Sequence, residues 1–120
     1  MRDIIAIILT SLLPFGTTIA EAHAFLDHAE PRVGSTVQTA PREISLAFTQ
    51  ELEPAFSSVT VTDHSGATVN DPAQIDSSNK SELDVKLKAL PPGTYKVQWH
   101  VLSVDTHTIE GDYSFHVGGK

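Results

Sequence analysis

The sequence predicts an all-β fold, a β-sandwich of about seven strands, preceded by a segment that is removed. Three observations carry this prediction. From His23 onward the apolar residues recur with a period of two, and no stretch long enough for a stable helix shows helical spacing. Turn-forming clusters punctuate the alternating runs at intervals expected of a sandwich. The 120 residues include no cysteine, so packing alone must hold the fold, which domains above about 60 residues achieve.

Taken in order, Met1 to Ala22 read as a secretory signal peptide: Arg2 near the start, an apolar run from Ile4 to about Phe15, and small residues ending in Ala20-Glu21-Ala22. Thr10, Ser11 and Pro14 interrupt the run, which falls short of the roughly 20 apolar residues that span a bilayer. Cleavage after Ala22 makes His23 the first residue of a mature domain covering residues 23–120, with no stable membrane insertion. A second small-x-small triplet, Ala22-His23-Ala24, would start the chain at Phe25 instead. The difference is chemical, because a terminal His offers both its α-amine and its ring Nδ1 to one ion.

A first strand is expected around Ala24 to His28. Ile44, Leu46 and Phe48 alternate with polar or small neighbours, as do Val59 and Val61, then Leu83, Val85 and Leu87. The clearest run is Tyr95, Val97, Trp99 and Val101, followed by Tyr113, Phe115 and Val117. A short strand is expected at Ala67 to Val69, and the polar stretch Asp71 to Ser81 reads as a surface loop. Pro31 to Gly34, Asp63-His64-Ser65-Gly66, Asn70-Asp71-Pro72 and Pro91-Pro92-Gly93 supply turns. Trp99 and Tyr113 belong to unbroken alternating runs and are assigned to the core.

Charge narrows the function. Fifteen acidic residues against eight basic ones give a net charge of -7, which disfavours nucleic acid or an anionic membrane and favours a cationic ligand. Without cysteine, thiol catalysis, iron-sulfur clusters and blue-copper sites are excluded. The sequence has no G-x-S-x-G, H-E-x-x-H, phosphate loop or C-x-x-C motif, so it is not read as an enzyme.

Six histidines remain to be placed. Asp105 and His107 are two apart, so in an extended segment their side chains share a face and can converge on one ion. With a terminal His23, the set becomes three nitrogens and one oxygen. Such donors suit tetragonal Cu(II), while zinc would accept the two imidazoles and the carboxylate. Ser103 continues the same spacing, but a strand with this order does not close a catalytic triad. His28, His64, His100 and His116 read as surface residues, with His28 a lesser candidate ligand.

The residues at this point resemble the CopC family of periplasmic copper-binding proteins. The resemblance is carried by H-A-F-L-D-H-A-E-P-R-V-G-S from His23, the run Leu46 to Asp63, and P-P-G-T-Y-K-V-Q-W-H-V-L-S-V-D-T-H ending at His107, with G-D-Y-S-F-H-V from Gly111. It spans essentially the whole mature chain. It implies an Ig-like Greek-key β-sandwich, a periplasmic location, and a role in copper homeostasis or resistance, with copper either sequestered or passed to an inner-membrane transport protein. It also implies that His23, Asp105 and His107 bind one Cu(II) per chain.

Two departures stand out. Members with a Cu(I) site use a Met-rich segment, whereas the single Met here is Met1, so a Cu(II)-only protein is expected. Many members carry an acidic residue where this chain has Gln50, with Glu51 beside it. Two other classes stay open: a copper monooxygenase with a histidine-brace site, disfavoured by Asp105 and by an aromatic content of only 7%, and a metal-free Ig-like adhesion or scaffold module.

Overall fold

The computed structural model describes residues 25–119. Among these residues there are eight strands and no α-helix. The strands are β1 Leu26–Glu30, β2 Thr36–Val37, β3 Glu43–Phe48, β4 Ser58–Thr62, β5 Gln74–Asp76, β6 Asn79–Lys86, β7 Gly93–Leu102 and β8 Thr108–Val117. A single 3-10 turn, Pro54–Phe56, separates β3 from β4.

Two four-stranded sheets result, in the orders β1-β3-β6-β5 and β2-β8-β7-β4. β3 pairs with β6 and β4 with β7, each antiparallel, so strands distant in sequence close both sheets. This is the connectivity of Greek-key sandwiches. The period-two pattern decides which faces meet. Along β7 the side chains of Tyr95, Val97, Trp99 and Val101 are buried while Lys96, Gln98 and His100 are exposed. Ile44, Leu46, Leu83 and Val85 answer them from the other sheet, all but fully buried.

Aromatic packing fixes the middle of the sandwich. Trp99 meets Phe48 edge-on at a centroid distance of 6.0 Å and Tyr113 at 6.2 Å. Its indole lies over Gly111, the residue opposite it on β8, where a Cβ would sit 2.5 Å from the indole Cζ2. Only glycine leaves that space. Phe115, with none of its surface exposed, stacks on Tyr95.

Tyr113 shows how loops are tied to this core. Its buried hydroxyl donates to the carbonyl of Pro31 at 2.8 Å, across 82 residues of sequence, and burial pushes the phenol's pKa well up, so it stays a neutral donor. Tyr113→Phe leaves that carbonyl without its partner and is expected to cost about 1–3 kcal/mol, read as a lower midpoint in urea with an unchanged slope.

Several expectations from the pattern are corrected. Ala67 to Val69 is not a strand. Thr68 makes an isolated bridge to Thr62, and the edge of β4 is satisfied next to it by a side chain. Asn70 Oδ1 accepts from Val61 N–H at 2.8 Å and Asn70 Nδ2 donates to Val59 O at 3.0 Å, doing the work of a neighbouring backbone. The stretch Asp71 to Ser81 is not a plain loop, since it holds β5 and the start of β6. Only Ile75 packs its apolar side chain inward from β5, and Asp76 Oδ2 closes the turn by accepting from Ser78 N–H at 3.0 Å and Ser78 Oγ at 2.7 Å. An edge hairpin of this polarity carries almost no alternation. β2, two residues long and parallel to β8, is likewise too short to leave a pattern.

Candidate metal centre

β7 and β8 form one long hairpin, and its turn holds the D-x-H motif. The last residue of β7 is Leu102 and the first of β8 is Thr108, so Asp105 and His107 lie in a tight turn and not, as expected, on an extended strand. The turn closes on Ser103: its N–H donates to His107 O at 3.0 Å, and Thr106 N–H donates to its carbonyl at 2.8 Å. Thr106 has φ 72°, the left-handed conformation that lets so short a connection reverse.

This geometry brings the two side chains together by another route. Asp105 Oδ1 lies 3.2 Å from His107 Nδ1 and also accepts a hydrogen bond from Ser103 Oγ. The bond from Ser103, and then that from His107, hold the Asp105 carboxyl below the usual carboxylate range, so it is ionised near neutral pH. Both side chains are about half exposed, at 47% and 51%, and are open to an ion from solvent. The Ser103 hydroxyl bonds the carboxylate and not the imidazole ring, so the order of a nucleophile, base and orienting acid is not formed.

The turn is braced by the segment after β3. Ser103 bridges to Leu52, Val104 N–H donates to Glu51 O at 3.0 Å, and Glu53 N–H donates to Leu102 O at 2.8 Å. Two residues before Glu51, Thr49 exchanges two hydrogen bonds with Phe25: Phe25 N–H to Thr49 Oγ1, and Thr49 N–H to Phe25 O, both 3.0 Å. The beginning of the domain and the D-x-H turn therefore share one end of the sandwich. His23 itself lies outside the described residues, as does the expected signal segment. Gln50 is half-buried and Glu51 exposed, both in this bracing segment.

The remaining histidines have other surroundings. His28 is exposed and 2.9 Å from Asp27 Oδ2. A register shift in β1 between Leu26 and His28 upsets the simple parity of that strand. His64 is exposed in its turn. His100 Nε2 lies 3.1 Å from Glu110 Oε2 on the outer face. His116 is half-buried, less exposed than expected, because β2 pairs alongside it and Thr94 Oγ1 sits 2.9 Å from its Nδ1.

Sequence reasoning missed a second group of acids. Asp76 on β5 and Glu82 and Asp84 on β6 place carboxylate oxygens within 4.8 Å of one another, with Ser45 Oγ of β3 at 3.4 Å from Asp84. The loop assignment for residues 71–81 concealed it. Desolvation, then Glu82 and Asp76, push Asp84 up to about 7, while bonds from Ser78 lower Asp76. A folded-state pKa above the unfolded 3.8 means the native state keeps a proton that the unfolded chain releases. Asp84's contribution is thus complete below about pH 4 and lost as pH rises through 7. Asp84→Asn is expected to flatten the decline in stability across that window, measured as wild type minus variant in melts between pH 4.5 and 7.5.

Known proteins resemble the chain throughout. A CopC domain profile matches residues 26–118. The chain belongs to the CopC family. Protein YobA of Escherichia coli strain K12 is 38% identical over 119 residues, covering 98% of this chain and 94% of that protein. The crystal structure of CopC from Methylosinus trichosporium OB3b superposes with a TM-score of 0.77 at 35% identity, over 81% of this chain and 95% of that one. That of PcoC, described as a methionine-rich copper resistance protein from Escherichia coli, gives 0.72 at 33% identity, over 80% and 99%. The all-β, two-sheet architecture expected from the sequence is that of these CopC structures.

Proposed function

We propose that this CopC-family chain is an exported Cu(II)-binding protein of the periplasm. It holds one ion per chain through the amine and ring of a terminal His23 together with Asp105 and His107. The observation that carries the reading is the paired Asp105 and His107 in a braced, half-exposed turn, at the end of the sandwich where Phe25 is anchored to Thr49. Two residues span at most about 7 Å, so a chain starting at His23 begins close to that anchor.

The donor chemistry fits Cu(II). Imidazole, amine and carboxylate are the ligands that tetragonal Cu(II) prefers, and an ionised Asp105 offsets part of the ion's charge. PcoC is described as methionine-rich, whereas this sequence has one Met, at position 1. That contrast supports a single Cu(II) site with no thioether site for Cu(I). Binding needs a neutral imidazole and an unprotonated amine, whose reference pKa is about 7.7–8.0, so affinity falls as pH falls.

The cellular role in this reading is copper homeostasis or resistance, by sequestration or delivery, and not catalysis. Among the described residues no helix is long and apolar enough to cross a membrane. In the delivery form of this reading the partner is an inner-membrane copper transport protein.

Intact mass and thermal melting of the exported protein, with and without one equivalent of Cu(II), test the proposal together. The expected result is a chain starting at His23, a mass increase of one copper, and a higher melting temperature, since a ligand bound only by the native state stabilises it. No bound copper and no change in melting would overturn it.

A further inference from the structure

We propose that Ser103 is the positioning residue of the copper site, setting Asp105 and His107 from within the core; the inference rests on the Cu(II) reading above. Ser103 is the one polar residue among the fully buried residues described, with 0% of its surface exposed. A buried hydroxyl persists where its hydrogen bonds are made, and here all of its contacts, including one to His107 O at 3.4 Å, go to the two residues of the motif. Ser103 Oγ donates to Asp105 Oδ1 and accepts from the backbone N–H of His107 at 3.3 Å.

The backbone of the same residue completes the arrangement. Its N–H and carbonyl close the turn onto His107 and Thr106, and its bridge to Leu52 fixes it to the neighbouring segment. One residue therefore restrains the carboxylate of one ligand and the main chain of the other, while their side chains remain half exposed. A free surface Asp two residues from a His would sample several rotamers, and binding an ion would have to order them. Ser103 has already ordered one. Groups that orient metal ligands in this way typically account for about 10–100-fold in affinity.

The test is a double-mutant cycle with Cu(II) as the probe, its affinity measured by competition against a chelator and its geometry by electron paramagnetic resonance. Ser103→Ala is expected to lower affinity by about 10–100-fold and to change the copper hyperfine coupling, with melting of the copper-free protein recorded as the control for folding. In an Asp105→Ala background the same substitution is expected to cost clearly less than in the wild type, because one of the two residues it acts through is gone and only its bond with the His107 main chain remains. Independent, additive losses would overturn the proposal, since they would reflect general loosening of the turn. An unchanged affinity for Ser103→Ala, with Asp105→Ala still costly, would overturn it and leave the copper reading standing. An unchanged affinity for Asp105→Ala would overturn the copper reading and this proposal with it. Should Ser103→Ala fail to fold, Ser103→Thr decides: it keeps the hydroxyl, so the wild-type spectrum is expected and an altered spectrum overturns the assignment.

Discussion

Extending the mature chain by one alanine ahead of His23 is expected to weaken Cu(II) binding by about a hundredfold or more while leaving the melting temperature of the copper-free protein unchanged. In the proposed site the α-amine and Nδ1 of His23 close one chelate ring on the ion, and the extension moves the amine to another residue. Disturbing a group that only orients a ligand typically costs about 10–100-fold, so displacing a direct donor should reach or exceed the top of that range. Stability should not follow, because the sandwich is fixed downstream by the exchange between Phe25 and Thr49. His107→Ala serves as the companion, removing a side chain that is 51% exposed and outside the core. Chelator competition reads the affinity, and the electron paramagnetic spectrum reads the nitrogen count. An extended chain with wild-type affinity and spectrum would remove the amine from the site.

The two halves of that site differ in how legible they were. The D-x-H pair was visible as two ligand types two residues apart, and the structure does pair them, at 3.2 Å. The expected reason was wrong, since an extended strand was assumed where the chain turns. The cause is local: Thr106 adopts φ 72° without being Gly or Asn, so nothing in Val104-Asp105-Thr106-His107 announces a reversal. Ser103 was dismissed as a nucleophile for want of a closed triad. Its burial, which gives it another role, depends on the bridge to Leu52 some fifty positions away, and no local pattern encodes such a contact.

The fold was legible in proportion to the two-sidedness of each strand. β4 and β7 bury one face and wet the other, and β3 and β8 keep their large apolar side chains on one face with small or polar residues between them, so the alternation of all four is visible. β5 buries little and sits at a sheet edge, and β2 is two residues long; their pairing is dictated by the strands beside them. The acidic group of Asp76, Glu82 and Asp84 was hidden for the same reason, because it exists only once β5 is laid against β6.

Phe115→Ala separates the stability of this sandwich from its copper chemistry, and is expected to lower stability by about 3–5 kcal/mol. Phe115 has no exposed surface and lies against both Tyr95, at 5.6 Å between ring centroids, and Tyr113, at 6.4 Å. Removing the ring leaves a void that two large, hydrogen-bonded tyrosines cannot collapse to fill, because Tyr113 is held to Pro31 and Tyr95 to Pro91. A domain of this size has about 5–15 kcal/mol in all, so the variant should melt far lower. The turn from Ser103 to His107 lies at the opposite end of β8 from Phe115 and is closed by its own hydrogen bonds. Below its melting transition the variant should therefore show the wild-type copper spectrum, and saturating Cu(II) should raise its melting temperature by mass action. A changed spectrum in the folded variant would mean that the site is tuned by the core along the length of β8 and is not determined within the turn.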